Sequence, residues 1–170
     1  MKTIFTSYYY IFSKKMEGSS IGFMRVALAV IYIWFGILKI FEMSPATDLV
    51  AKTVTWFKPE FFIPVLGFLE LMIGLGLLVK RMIPLAVTLL LLHMIATMMP
   101  FFVLQSACFN VFPLEPTLEG QYIIKNLVLI SGALIIAGKY NEAYYNEMNL
   151  KKEQPKFIKK ALSETEFLTE

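Results

Sequence analysis

Apolar residues are gathered into four long runs along the chain, and short polar segments separate them. A helix needs about 20 apolar residues to cross the hydrocarbon core of a bilayer. The runs therefore predict transmembrane helices over residues 21–41, 61–79, 82–104 and 122–137. Pro100 lies late in the third run, where it is expected to kink or end the helix. The pattern predicts an all-α, polytopic membrane protein built as an antiparallel bundle of four transmembrane helices.

Basic residues alternate between the two sides of the predicted bundle. They are frequent in segment 1–20, in the Lys80–Arg81 turn and in the tail 139–170, whereas loop 105–120 has none. Lys and Arg accumulate on the cytoplasmic side of membrane proteins. Both termini are therefore expected in the cytoplasm, with residues 21–138 in the membrane. Residues 1–20 form a cytoplasmic or interfacial segment, and 139–170 form a charged cytoplasmic tail. A surface helix is expected over residues 46–57 of the first outer loop.

The composition agrees with this class and narrows the chemistry. The 170 residues are 57% hydrophobic and 17% charged, whereas soluble domains are about 45–50% apolar and about 25% charged. With a net charge of +3 and no basic–aromatic block, nucleic acid is not an expected partner. The expected partners are the lipid bilayer and either further copies of the chain or a larger membrane complex.

Cysteine and histidine each occur once, as Cys108 and His93. One cysteine cannot form an intrachain disulfide or a CxxC redox pair. No metal site is expected, because zinc and bis-histidine haem sites need more ligands than these. The chain also lacks a flavin, haem or dithiol motif, so no intrinsic cofactor is expected. Cys108 is interpreted as an inert or merely exposed thiol.

Polar residues recur on one face of each predicted helix, beside small residues. Charges at membrane depth cost about 2.5–3.5 kcal/mol each on insertion scales, so they tend to face the bundle interior and find partners. The candidate intramembrane polar site consists of Arg25, Glu70, His93, Lys125 and Asn126. Lys39 and Tyr32 are weaker candidates.

Glu70 is expected to pair with Arg25, Lys125 or His93, while Lys39 is expected to extend outward toward water. Two interpretations remain open for the charged residues. They could form a site for a polar headgroup, a proton or a quinone carbonyl, or they could form an internal ion pair that fixes helix register. No catalytic residue is identified.

Three short motifs give the chain a family resemblance. They read Arg25-Val-Ala-Leu with Trp34-Phe-Gly-Ile-Leu-Lys39, then Gly67-Phe-Leu-Glu70 with Gly74-Leu-Gly76, then Glu119-Gly-Gln-Tyr-Ile-Ile-Lys125-Asn126-Leu with Gly132-Ala-Leu-Ile. In order and spacing, over residues 20–138, they resemble the DoxX-like superfamily of small four-helix membrane proteins, with its YkgB-like and DoxD-like branches. Lys125-Asn126 stands where the family often has Arg-Asp, which leaves Glu70 as the only carboxylate in the membrane core.

The resemblance implies a four-helix bundle in the bacterial cytoplasmic (inner) membrane, and it implies several functions. Some relatives resemble subunits of a thiosulfate–quinone oxidoreductase, and others are linked to oxidative stress, cargo handling or receptor assembly. We therefore expect an accessory or membrane subunit of a quinone-linked redox or oxidative-stress system, which is not catalytic alone and uses quinone as its cofactor. The alternative is a non-catalytic scaffold or assembly factor for a larger complex. A pathway for a small solute or ion is a third hypothesis.

Overall fold

The computed structural model describes the backbone of residues 2–167 and the side chains of residues 6–16 and 18–150. Two compact units divide the chain, Met1–Ala137 and Gly138–Glu170. The helices are α1 (Lys2–Ile40), α2 (Thr47–Thr53), α3 (Pro59–Leu78), α4 (Ile83–Thr97), α5 (Pro100–Val103), α6 (Gln105–Cys108) and α7 (Leu118–Phe167), with a 3₁₀ turn at Lys80–Met82. Strands β1 (Phe109–Val111) and β2 (Glu115–Pro116) pair antiparallel.

Four segments within the described residues are long and apolar enough to cross a membrane. They are Gly18–Ile40, Pro59–Leu78, Lys80–Val103 and Leu118–Leu150. The predicted all-α bundle of four long apolar helices is confirmed, and its four spans indicate a multi-pass membrane protein.

The first and last long helices extend well beyond the hydrophobic runs that predicted them. Helix α1 begins at Lys2 rather than near residue 21, and α7 continues to Phe167 instead of ending near residue 137. Hydropathy marks where a segment is apolar, but helix formation continues through polar residues with good helix propensity, such as the Glu and Lys of the tail. Side chains of this tail beyond Leu150 lie outside the described residues. The third run divides, since α4 ends at Thr97 and Pro100 starts α5.

Helices α1 and α3 touch backbone to backbone through glycines. A Cβ atom placed on Gly36 would lie 2.6 Å from the carbonyl oxygen of Gly67, and one on Gly67 would lie 2.7 Å from that of Gly36. Farther along, a Cβ on Gly74 would lie 2.9 Å from the carbonyl oxygen of Ala29. Small residues allow such close approach between membrane helices, where packing contributes much of the association energy.

The other two long helices pack on this pair through small residues as well. On the α3–α4 side, a Cβ on Gly76 would lie 3.0 Å from the Cβ of Ala86. Against α1, a Cβ on Gly132 of α7 would lie 2.9 Å from the sulfur of Met24. Fully buried apolar side chains fill the space between the helices: Leu28, Ile73, Leu77, Leu90 and Ile136.

Ordered structure covers the end of the bundle at which α1 ends and α3 begins, which we call the loop end. The sequence predicted only loops and one surface helix there, and that helix, α2, is shorter than expected. Cys108, Phe109 and Ile123 form a small buried cluster, with Leu49, Met98 and Phe101 packed against it. The hydroxyl of Thr117 caps α7, because it accepts a hydrogen bond from the Gly120 amide at 3.2 Å.

The glycine contact between α1 and α3 predicts a position-specific effect of adding one methyl group. Gly36→Ala should lower the free energy of unfolding by about 1–3 kcal/mol, because the new Cβ would overlap the α3 backbone. Gly22→Ala is the matched control, since a Cβ there meets nothing within 4 Å and Ala favours helix over Gly. Thermal unfolding in detergent measures both. Equal melting temperatures for the two variants would contradict the contact.

Candidate functional site

The central polar feature of the bundle is an ion pair between Lys39 of α1 and Glu70 of α3. The Lys39 ammonium donates hydrogen bonds to both carboxylate oxygens, at 2.8 Å to Oε1 and 2.7 Å to Oε2. The lysine side chain is 8% exposed and the glutamate side chain 6%. The two opposite charges therefore neutralise each other away from solvent, which is the arrangement that makes ionised groups tolerable in an apolar interior.

The geometry of α1 and α3 explains how Lys39 reaches Glu70. Side chains on a helix tilt toward its N-terminus, so a lysine in the last turn of α1 leans back along the bundle. Gly67 lies one turn before Glu70 and has no side chain in the way. The Cβ of Lys39 lies 2.8 Å from the position that a Cβ on Gly67 would occupy. The lysine stem therefore crosses α3 over Gly67 to reach the carboxylate.

His93 of α4 approaches the same carboxylate from the other side. Its Nε2 atom lies 3.1 Å from Oε1 of Glu70, and its side chain is 3% exposed. The approach is within ion-pair distance, but its direction does not meet the angular requirement of a hydrogen bond. One carboxylate thus joins three helices, through Lys39 of α1 and His93 of α4.

Tyr32 completes the group, which we call the polar cluster: Lys39, Glu70, His93 and Tyr32. Its ring meets the imidazole of His93 edge-on, with 5.8 Å between centroids and 68° between planes. The Tyr32 hydroxyl and both ring nitrogens of His93 are buried, and none of these three groups has a hydrogen-bond partner. A buried donor without a partner costs about 1–3 kcal/mol. The cluster therefore combines a satisfied ion pair with unused hydrogen-bonding atoms on two side chains, Tyr32 and His93.

The structure brings together only part of the predicted site. Glu70 and His93 meet as expected, but Lys39 does not extend toward water, and Tyr32 has a central place. That expectation for Lys39 was wrong, because its side chain leans back into the bundle. The signal available in the sequence was the shared face of Tyr32, Gly36 and Lys39, opposite a glycine one turn from Glu70.

Arg25 lies too far along α1 to pair with Glu70. Glu70 is packed beside Gly36, which is 11 residues from Arg25, or about 16 Å along a helix. Arg25 is half-buried, and its Nε has no hydrogen-bond partner. The prediction of an Arg25–Glu70 pair was therefore wrong.

Lys125 and Asn126 also lie apart from the polar cluster. Lys125 is exposed, with its ammonium 5.0 Å from the centre of the Tyr122 ring. Asn126 donates a hydrogen bond from its side-chain amide to the Thr97 hydroxyl at 3.3 Å, which connects α7 to the end of α4. Neither residue is a partner of Glu70, so Lys125 was wrongly expected to be one.

Cys108 lies outside the four spans, in the buried cluster of the loop end. Its side chain is fully buried, and Gly120 packs directly against its carbonyl group. Burial raises the pKa of the Cys108 thiol, and the negative charge of Glu119 adds to that increase. Because the thiolate is the reactive form, this environment disfavours reaction.

No protein-family model, curated protein sequence or solved structure matches this chain. Within the described residues, no three His, Cys, Asp or Glu side chains are grouped to hold a metal ion. The geometry of the polar cluster is therefore the basis for inferring a function.

A double-substitution experiment separates the ion pair from simple packing. Lys39→Met alone leaves the Glu70 carboxylate buried without its partner, which should cost about 3–5 kcal/mol of stability. Lys39→Met combined with Glu70→Met removes both charges, so the double variant should be more stable than Lys39→Met. Thermal unfolding in detergent gives the comparison.

An exposed ion pair provides the control. Lys139 and Glu142 lie 2.7 Å apart with side chains more than half exposed, and exposed pairs contribute little to stability. Glu142→Gln should leave the melting temperature nearly unchanged. If the double variant were instead less stable than Lys39→Met, the two charges would not depend on each other.

Cys108 should react slowly with a maleimide in the folded protein. Its raised pKa keeps the thiol protonated at neutral pH, and labelling should accelerate only at higher pH than for an ordinary cysteine, whose pKa is about 8.5. The control is Ser106→Cys in a Cys108→Ser background, since Ser106 is exposed two residues away. Mass spectrometry over a pH series measures both rates. Equal rates in the folded state would show that Cys108 is accessible.

Proposed function

We propose that the chain is a membrane-embedded accessory subunit of a quinone-linked redox or oxidative-stress system, and that the polar cluster is its site. The observation that carries the proposal is the Lys39–Glu70–His93 network, buried between three helices near the middle of α3. Ionisable side chains inside a membrane protein are costly, and in general they mark sites where protons, ions or polar ligands are handled.

The unused hydrogen-bonding atoms of Tyr32 and His93 are chemically complementary to the carbonyl group of a quinone. A quinone presents carbonyl oxygens, which accept hydrogen bonds, and the Tyr32 hydroxyl is a buried donor without a partner. His93 can donate or accept through Nδ1, depending on its tautomer. When bound, a quinone would supply two-electron, two-proton redox chemistry. Tyr32 and His93 would orient its carbonyl group, and Glu70 would hold the imidazole in place.

The resemblance to the DoxX-like superfamily supports the same proposal. Some members of that superfamily resemble subunits of quinone-linked oxidoreductases, and the resemblance implies the bacterial cytoplasmic membrane. The charged residue pattern suits an orientation with both termini in the cytoplasm. A partner protein would supply the electrons, since the sequence contains no flavin, haem or dithiol motif. The proposed unit is therefore a complex rather than the chain alone.

A quinone-binding measurement tests the proposal. Decylubiquinone should bind the purified protein in detergent, and Tyr32→Phe should weaken that binding by about tenfold, the equivalent of about 1.4 kcal/mol. Tyr32→Phe removes the unpartnered hydroxyl and leaves the Lys39–Glu70 pair intact. Lys125→Gln is the control and should bind as the wild type does, because Lys125 is exposed and apart from the cluster.

A second experiment measures the quinone-dependent turnover of the Glu70→Gln variant in membranes that contain the assembled system. Turnover should fall with Glu70→Gln and stay unchanged with Lys125→Gln. Absence of decylubiquinone binding by the wild type, or binding that is indifferent to Tyr32→Phe, would remove the quinone site from the proposal.

A non-catalytic scaffold is the second candidate, and two observations favour it. The side chains of the Lys39–Glu70 pair are at most 8% exposed, which suits an ion pair that fixes helix register. Beyond the span that begins at Gly18, five consecutive large side chains of α1 are exposed: Tyr8, Tyr9, Tyr10, Ile11 and Phe12. Such a surface suits contact with another protein. Co-purification of a larger complex that persists with Glu70→Gln would favour the scaffold.

A further inference from the structure

A groove lies at the loop end of the bundle, where the span Pro59–Leu78 begins. It is an open surface groove with a volume of about 520 Å³. The segment before α3 and the first turns of α3 line it, with the residues Trp56, Phe57, Lys58, Phe61, Phe62 and Val65. We call it the aromatic groove.

The lining of the aromatic groove is apolar except at one position. Phe57 and Phe62 stack with their planes 6° apart and their centroids 5.5 Å apart, which gives the groove a firm aromatic wall. Lys58 is the one charged residue among the six that line it, and it is exposed. The neighbouring carboxylate of Glu60 does not belong to the lining. A ligand that fits must therefore be largely apolar, with a negative group near Lys58.

An exposed apolar ridge continues from the groove along α3. Its residues follow each other at steps of three and four, which places them on one helix face: Phe61, Val65, Phe68, Met72 and Leu75. From the first to the last, the ridge spans 14 residues, or about 21 Å. Half of the hydrocarbon core is about 15 Å thick, so the ridge covers the depth of one leaflet.

We infer that the aromatic groove binds a phospholipid of the surrounding bilayer, with its phosphate beside Lys58 and an acyl chain along the α3 ridge. The ligand needs a long apolar chain joined to a negative group at the membrane surface, and the groove and the ridge present the complementary surfaces in that order. Aromatic side chains at a membrane boundary suit the same depth. This inference is independent of the polar cluster, which lies on the inward face of α3.

The positive charge at the groove gives the site a preference among phospholipids. A basic residue near the surface attracts anionic lipid by an amount that corresponds to about a fivefold preference. Phosphatidylglycerol should therefore occupy the groove in preference to phosphatidylcholine, whose headgroup carries a compensating positive charge.

The two tryptophans of the chain make this preference measurable with an internal control. Trp56 lines the groove and is 63% exposed, whereas Trp34 is 64% exposed on α1 within the span Gly18–Ile40. In Trp34→Phe protein, Trp56 alone reports on the groove. In Trp56→Phe protein, Trp34 alone reports on the ordinary lipid-facing surface, with the same exposure.

Fluorescence quenching by brominated lipid is the experiment. Each single-tryptophan protein is reconstituted into phosphatidylcholine vesicles that contain increasing fractions of brominated phosphatidylglycerol, and then into the converse mixture. We expect Trp56 to report about a fivefold preference for phosphatidylglycerol, and Trp34 to report none. Lys58→Gln in the Trp34→Phe protein should abolish the preference at Trp56 and leave quenching by both lipids otherwise intact.

Three outcomes would overturn the inference. The first is an equal lipid preference at Trp56 and Trp34, and the second is a preference at Trp56 that survives Lys58→Gln. The third is the absence of quenching at Trp56 together with chemical crosslinks to a second copy or another protein, which would show that protein covers the groove. Far-UV circular dichroism of each variant confirms that the helices are retained, since Lys58 is exposed and precedes α3.

Discussion

A buried carboxylate needs an opposite charge beside it. The bundle is arranged around the buried carboxylate of Glu70. Its partner, Lys39, begins beside Gly67, about one turn from Glu70, and its side chain passes over Gly67 to reach the carboxylate. That path exists only because Gly67 has no side chain and because Gly36 allows the two backbones to touch. The charges and the glycines therefore form a single constraint: the ion pair requires the close approach, and the close approach holds the ion pair away from solvent.

Both candidate functions depend on this constraint, but in different ways. For a redox subunit, the ion pair is a fixed support that positions His93 and leaves the Tyr32 hydroxyl free to meet a ligand. For a scaffold, the same pair locks α1, α3 and α4 in register so that the outer surfaces keep their shape. The inward polar cluster and the outward aromatic groove lie on different sides of α3, so one rigid helix serves both without coupling their chemistry.

The hydrophobic pattern was sufficient to predict the class of fold, because burial in lipid demands long apolar helices. It also placed Glu70 and His93 correctly on inward faces, since small residues accompany them at helical spacing. The pairing of Lys39 could not be read in this way. Its position near the end of α1 suggested that the ammonium group reaches water. Instead, the side chain tilts back along α1, and the missing side chain at Gly67 leaves room for it to reach Glu70.

Other features could not be predicted from the sequence, for a different physical reason. The capped loop end depends on contacts between segments far apart in the chain, such as Leu49 against Cys108 and its neighbours, and no local periodicity encodes them. The length of α7 was not predicted because apolar character and helix propensity are separate properties. Only the apolar character changes at the membrane boundary. The exposure of Lys125 follows from the rotation of α7 against its neighbours, which the spacing of polar residues alone left open.

The separation of Lys39 and Glu70 in the sequence has a consequence for biogenesis. The two charges are 31 residues apart, so the ribosome completes α1 before the carboxylate that neutralises its lysine exists. Chains are made from the N-terminus at about 5–20 residues per second, which leaves α1 with an uncompensated charge for seconds. The Lys39 side chain therefore lacks its buried partner until α3 has been made and packs beside α1.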